Sequence, residues 1–263
     1  MAYRGQGAAS SRPSRPGHGD AWRLLIVEDN HGDISLIRRL LEDSADPWMT
    51  ESARSLEQVD RILEHEQFDV ITADLGLPDS AGLDTVVGLL RRTPETPLVV
   101  LTGAADIALG PTAVALGAHD FLCKGGLSTR LLDDVLRMAI ERCHREQQLR
   151  DIIRQNCDAM IAVDDTGLIR LANPAAEDLF GTHCLTGENF GYPVQADTTT
   201  ELAILGSEEP RVAEMRTAQT VWAGEPAIVA SLRDITDRKR ADDLQRRLWH
   251  ADRLTAVGQL AAG

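Results

Sequence analysis

Lysine is scarce in this chain: of its 27 basic residues only Lys124 and Lys239 are lysines, and the rest are arginines. Aromatic residues are also few, at 4% of 263 residues, which leaves little on which single-stranded nucleic acid could stack. Positive charge is outweighed, 27 Lys+Arg against 41 Asp+Glu giving a formal net charge of −14. Duplex binding rests on neutralising phosphates with a basic face, so no nucleic-acid partner is expected. No uncharged run of 18 residues occurs, which predicts no membrane span. The N-terminus has no apolar signal-peptide core. The four cysteines (Cys123, Cys143, Cys157, Cys184) form no CxxC pair, a pattern that fits reduced thiols in a cytoplasmic protein. What is present is a 43% apolar fraction, enough for ordinary cores, and a length suited to two domains.

Residues 1–20 are rich in Gly, Ser, Pro and Arg and read as a disordered tail. A different texture begins after it. LLIVE (24–28) is a continuous apolar run ending in acid, the mark of a strand buried on both faces. Ile34, Ile37, Leu40 and Leu41 then recur at helical spacing. The alternation repeats, with strands expected near 48–53, at 68–73, 97–102 and 119–123. Helices are expected around Leu56–Leu63 and Leu83–Leu90, in an Ala-rich stretch at 106–116, and from Leu131 onward. Five strands alternating with five helices argue for an α/β domain over 21–142 with a parallel sheet covered on both faces. The charged stretch 137–156 contains neither Gly nor Pro and reads as a connecting helix, with Arg142 and Arg145 at seam positions of its best heptad register.

Beyond it the period changes to two. AMIAVDD (159–165) and LIRLAN (168–173) flank a Thr166-Gly167 turn and read as a hairpin, and Asn173-Pro174 opens a short helix. Further strands are expected at 200–205, 211–222 and 226–236, making 151–236 a small α+β domain with an antiparallel sheet. Residues 237–263 return to a helical pattern.

The polar residues at the strand ends carry the chemistry. Glu28 and Asp29 end the first strand, Asp74 the third and Thr102 the fourth, and Lys124 follows the fifth. A parallel sheet brings those ends to one edge. Three carboxylates together repel unless a cation joins them, and a hard divalent ion such as Mg²⁺ would do so while leaving room for a phosphate oxygen. An Asp carboxylate is a nucleophile toward phosphorus, and the transfer needs positioning and charge neutralisation, which Lys124 and Thr102 offer. A flavin site would want a Ser/Thr/Gly-rich loop after strand one, a dinucleotide site GxGxxG and a P-loop GK[ST]; the chain has Glu-Asp-Asn there.

LLIVEDN, VITADLGLPDSAGLD, PLVVLTG and GAHDFLCKG together resemble the receiver domain of two-component signalling over roughly 22–142. The resemblance implies a flavodoxin-like fold with strand order 2-1-3-4-5 and Asp74 as phosphoacceptor. It implies Mg²⁺ held by Asp29, Asp74 and the Gly76 carbonyl, with Glu28 acting through water. Thr102 and Phe121 would form the switch pair and Lys124 would pair with the phosphoryl group. Gly125 departs from the pattern, standing where many receivers carry a cis-proline. The partner implied is a phosphodonor histidine kinase or phosphotransfer protein.

DAMIAVDDTGLIRLANPAAEDLFG and VWAGEPAIVASLRDITDRKRAD resemble a PAS domain, with Asp234 and Thr236 matching its C-terminal Asp-x-Thr signature. That family is usually dimeric, so a homodimer through the connecting helices and the PAS domain is expected. No resident cofactor is expected there; His183 and Cys184 are the only candidate soft ligands. LWHADRLTAVGQLAAG (248–263) resembles the start of the dimerisation and phosphotransfer helix of histidine kinases, in which the phosphorylated histidine would follow Gly263; His250 lies upstream of that position. The chain so read is the N-terminal part of a receiver–PAS sensor kinase, without the ATP-binding domain. Two alternatives stand beside that reading, a phosphorylation-independent dimerising scaffold and a PAS-led small-ligand sensor.

Overall fold

The computed structural model describes residues 21–103, 106–182, 184–204 and 210–261, so the expected tail at 1–20 and His183 lie outside the described residues. The chain divides into two compact units, 1–148 and 149–263.

In the first unit the strands are β1 (Trp22–Val27), β2 (Trp48–Ala53), β3 (Val70–Asp74), a two-stranded hairpin of β4 (Gly76–Leu77) and β5 (Ser80–Ala81), then β6 (Leu98–Thr102) and β7 (Asp120–Cys123). The helices are α1 (His31–Glu42), α2 (Leu56–Leu63), α3 (Leu83–Arg92), α4 (Gly110–Ala115) and α5 (Thr129–Gln155). The main sheet has the order β2-β1-β3-β6-β7, all parallel. The apolar run in β1 splits by parity. Leu25 and Val27 enter one core with Val59, Val86, Leu89 and Ala113, while Leu24 and Ile26 enter another with Ile34, Ile37, Leu132, Leu136 and Ile140. Both faces of the strand are thus buried, which is why it reads as continuously apolar.

The helix starts are fixed locally. Asn30 caps α1 by accepting from Gly32 N–H at 2.8 Å, and Ser55 caps α2 by accepting from Gln58 N–H at 3.2 Å. Asp79, in the turn between β4 and β5, adds a second tie to α2 by accepting from the Leu56 and Glu57 N–H groups, both at 3.1 Å. The fourth helix is shorter than the expected 106–116. A 3-10 turn at Ile107–Leu109 precedes it, and regular helix begins only at Gly110, with Pro111 in the first turn where its missing N–H is harmless. The β4–β5 hairpin, with Pro78 and Asp79 between its strands, is likewise absent from the sequence expectation.

In the second unit β8 (Ala159–Asp164), β9 (Ile169–Ala172), β10 (Thr199–Ile204), β11 (Arg211–Trp222) and β12 (Glu225–Asp234) form an antiparallel sheet in the order β10-β11-β12-β8-β9. Helix α6 (Pro174–Phe180) lies between β9 and β10, and α7 (Thr236–Ala261) follows β12. The core gathers Ile161, Val163, Ile169, Leu179, Met215 and Leu232, with Phe180, Phe190 and Tyr192 as an aromatic group whose centroids lie 5.2–6.1 Å apart. The α/β unit followed by a long helix, an antiparallel sheet and a C-terminal helix is the architecture expected from the sequence.

Candidate functional site

The carboxyl ends of β1, β3, β6 and β7 deliver the acidic residues and the lysine to one edge. Glu28 follows β1 directly, is 1% exposed, and accepts from Asn30 N–H through Oε1 at 3.1 Å. Asp29 beside it is exposed. Asp74 closes β3 and takes the Gly76 N–H on Oδ2 at 3.1 Å. One carboxylate oxygen each from Glu28, Asp29 and Asp74 lies within 4.8 Å of the other two. An all-oxygen set with one member open to solvent suits a hard cation that keeps several waters.

Lys124 opens the 3-10 turn Lys124–Gly126 after β7 and points back into this cluster. Its Nζ lies 2.6 Å from Glu28 Oε2, 2.9 Å from Asp74 Oδ1 and 2.9 Å from Asp33 Oδ2. Burial works against the ammonium, but the hydrogen bonds it donates to the three carboxylates prevail and hold the Lys124 pKa above its ordinary value. Burial pushes the Glu28 carboxyl up; Lys124 and the Asn30 N–H pull in the opposite direction without cancelling it. Three carboxylates therefore share one ammonium, and with Asp29 beside them the pocket holds more carboxylates than the single ammonium can neutralise.

Thr102 ends β6 fully buried, and its hydroxyl donates a long 3.4 Å hydrogen bond to the Leu122 carbonyl. Phe121, half-buried in β7, lays its ring over Gly110: a Cβ built on that glycine would stand 2.2 Å from the ring. Gly125 has open space around its Cβ direction, and the described residues contain no cis peptide. In the second unit, Thr236 N–H donates to Asp234 Oδ1 at 2.8 Å, while Thr236 Oγ1 accepts from Val212 N–H at 2.9 Å. The first turn of α7 is thereby tied to β11. Cys184 is exposed. Asp33 was not among the residues singled out from the sequence; it sits in the first turn of α1, where helix phase rather than strand order brings it to Lys124.

Residues 24–136 match the response regulator receiver domain family, and residues 147–215 match the PAS domain family. The chain carries a receiver domain followed by a PAS domain. The receiver half is similar to the methanogenesis regulatory protein FilR1 of Methanothrix harundinacea, 33% identical over 46% of this chain and 28% of that protein. It is similar to the response regulator protein PilR of Pseudomonas aeruginosa, 36% identical over 39% of this chain and 22% of PilR. The photosynthetic apparatus regulatory protein RegA of Rhodobacter capsulatus is 35% identical over 38% of this chain and 54% of RegA. The chain thus spans between about a quarter and about half the length of these relatives, all of them regulators by name. Among solved structures, a response regulator receiver domain protein from Clostridium thermocellum aligns with 49% of this chain and 98% of its own at 23% identity and a TM-score of 0.40. Receiver domains in general bind Mg²⁺ at an acidic pocket, and Glu28, Asp29 and Asp74 form an acidic cluster here. No helix among the described residues is long and apolar enough to cross a membrane.

Proposed function

We propose that this chain is the phosphoacceptor and sensory portion of a two-component histidine kinase, phosphorylated on Asp74. The observation that carries the reading is the Lys124 ammonium, 2.9 Å from Asp74 Oδ1 and flanked by the Glu28–Asp29–Asp74 cluster. An Asp74 carboxylate oxygen attacks the phosphorus of a phosphohistidine donor, and the donor's nitrogen leaves with the electron pair of the broken P–N bond. Lys124 offsets the charge of the transferred phosphoryl oxygens. Asp29, Asp74 and the Gly76 carbonyl would hold Mg²⁺, with Glu28 acting through water, and the ion would supply further charge neutralisation when bound.

The new dianionic group then competes for the Thr102 hydroxyl, whose present bond to Leu122 is long and readily exchanged. Phe121 reorients with it, and β7 passes the change to α5. The partners implied are a histidine kinase or phosphotransfer protein as donor, a second copy of the chain through α5 and the PAS domain, and a kinase core reached through α7. The setting is the cytoplasm. The test is incubation with Mg²⁺ and acetyl phosphate, followed by intact mass. One phosphoryl group is expected on the wild type and none on Asp74→Ala; a folded wild type that stays unmodified refutes the proposal.

A further inference from the structure

We propose that Asp33 is a positioning residue of the phosphoryl-transfer pocket, acting through Lys124. The inference rests on the phosphoacceptor reading for its functional consequence, and on geometry alone for the contact.

An ammonium group has three N–H donors, and here three carboxylates surround it, each from a different segment: Glu28 after β1, Asp33 in α1 and Asp74 at the end of β3. They are not equivalent. Asp74 is the nucleophile, and its oxygen near Lys124 gives way once phosphorus occupies that space. Glu28 belongs to the group whose oxygens lie close enough to share a cation. Asp33 belongs to neither role. Its 2.9 Å hydrogen bond from Lys124 Nζ involves neither the nucleophile nor the carboxylates grouped for a cation.

That bond spans 91 residues and joins the first turn of α1 to the loop after β7. The α1 end is itself fixed by the Asn30 cap, and a carboxylate three residues past the cap is favoured by the helix dipole. Lys124 sits on a turn built from Lys124, Gly125 and Gly126, in which the two glycines place no Cβ against a neighbour. Backbone stiffness in that turn is low, so the aim of the ammonium depends on what its head group holds. Asp33 supplies a hold that does not involve the reacting carboxylate.

The small number of lysines makes this measurable. Protein labelled with [¹³C]-lysine gives signals from only Lys124 and Lys239, the latter paired with Glu201 in the second unit and serving as internal reference. The experiment compares the wild type with Asp33→Ala and Asp33→Asn in two arms, metal-free ¹³Cε relaxation of Lys124 and titration with Mg²⁺ alone or Mg²⁺ plus beryllofluoride. In Asp33→Ala the Lys124 Cε order parameter falls toward that of an untethered lysine while Lys239 is unchanged. Asp33→Asn, whose amide oxygen still accepts, retains most of the order. Beryllofluoride affinity falls about tenfold in Asp33→Ala, the equivalent of one charge-assisted hydrogen bond, while affinity for Mg²⁺ alone barely moves. A general loss of fold would lower both. An unchanged Lys124 order parameter in Asp33→Ala overturns the contact, and unchanged beryllofluoride affinity overturns its role. A wild type that binds no beryllofluoride overturns the role together with the phosphoacceptor reading, and the relaxation arm still decides the contact.

Discussion

Asn173 is 1% exposed, and every hydrogen-bonding atom of its amide is engaged. Its Oδ1 accepts from Met160 N–H at 2.8 Å and caps α6 by accepting from Ala176 N–H at 3.0 Å. Its Nδ2 faces the carbonyls of Ile153, Asn156 and Asp158 at 3.0–3.3 Å. One side chain thus joins the end of α5, the start of β8 and the start of α6. Truncation leaves buried donors and acceptors unpaired, so Asn173→Ala should destabilise the PAS unit by about 3 kcal/mol, read from its denaturant midpoint. From the sequence, Asn173 is legible only as a helix opener before a proline, because the carbonyls it binds lie in segments whose approach is tertiary. The pocket divides the same way. Glu28, Asp29, Asp74, Thr102 and Lys124 are readable because strand order alone brings them to one edge. Asp33 depends on the rotation of α1 about its axis, which residue spacing does not specify.

At the scale of elements, α4 and β7 meet through a missing side chain. Gly110 is buried and lies under the Phe121 ring, where a Cβ would stand 2.2 Å from a ring carbon. Gly110→Ala should therefore expel the ring from its present position at a cost of about 1–3 kcal/mol, the usual range for overpacking. Aromatic ¹³C spectra of the four phenylalanines should show one displaced signal, that of Phe121; an unmoved signal with unchanged stability contradicts the contact. The same glycine accounts for the shortened helix. Composition at 106–116 favours one Ala-rich helix, but Gly110 and Pro111 place its start at Gly110 and leave a 3-10 turn before it. Apart from the β4–β5 hairpin, the strands and helices were legible because their apolar residues recur at clean periods of two or 3.6, or run unbroken where both faces are buried.

For the molecule as a whole, the two long helices carry the account. α5 runs 27 residues without a break, and Met138, Leu149 and Ile152 are 68%, 62% and 65% exposed along one heptad seam with Arg142 and Arg145 between them. Apolar residues so open along one helix face suit packing against another helix, and the pairing expected from the sequence is with a second copy of the chain. Sedimentation of the chain should show a dimer. Leu149→Glu with Ile152→Glu should weaken it by well over tenfold, since burying each such side chain is worth about 1.5–3 kcal/mol; a monomeric wild type contradicts the pairing. The domain sequence was legible as a whole because the hydrophobic period switches at the end of α5, from strand–helix alternation to consecutive strands.

The central claim is that the acidic edge of the receiver sheet takes up a phosphoryl group on Asp74. ¹⁹F NMR of the chain with Mg²⁺ and beryllofluoride tests it most directly, since the beryllium adduct forms on the nucleophilic carboxylate itself. Bound fluorine resonances should appear in the wild type, vanish when the metal is chelated, and be absent in Asp74→Ala. A folded wild type that shows only free fluoride species would contradict the account.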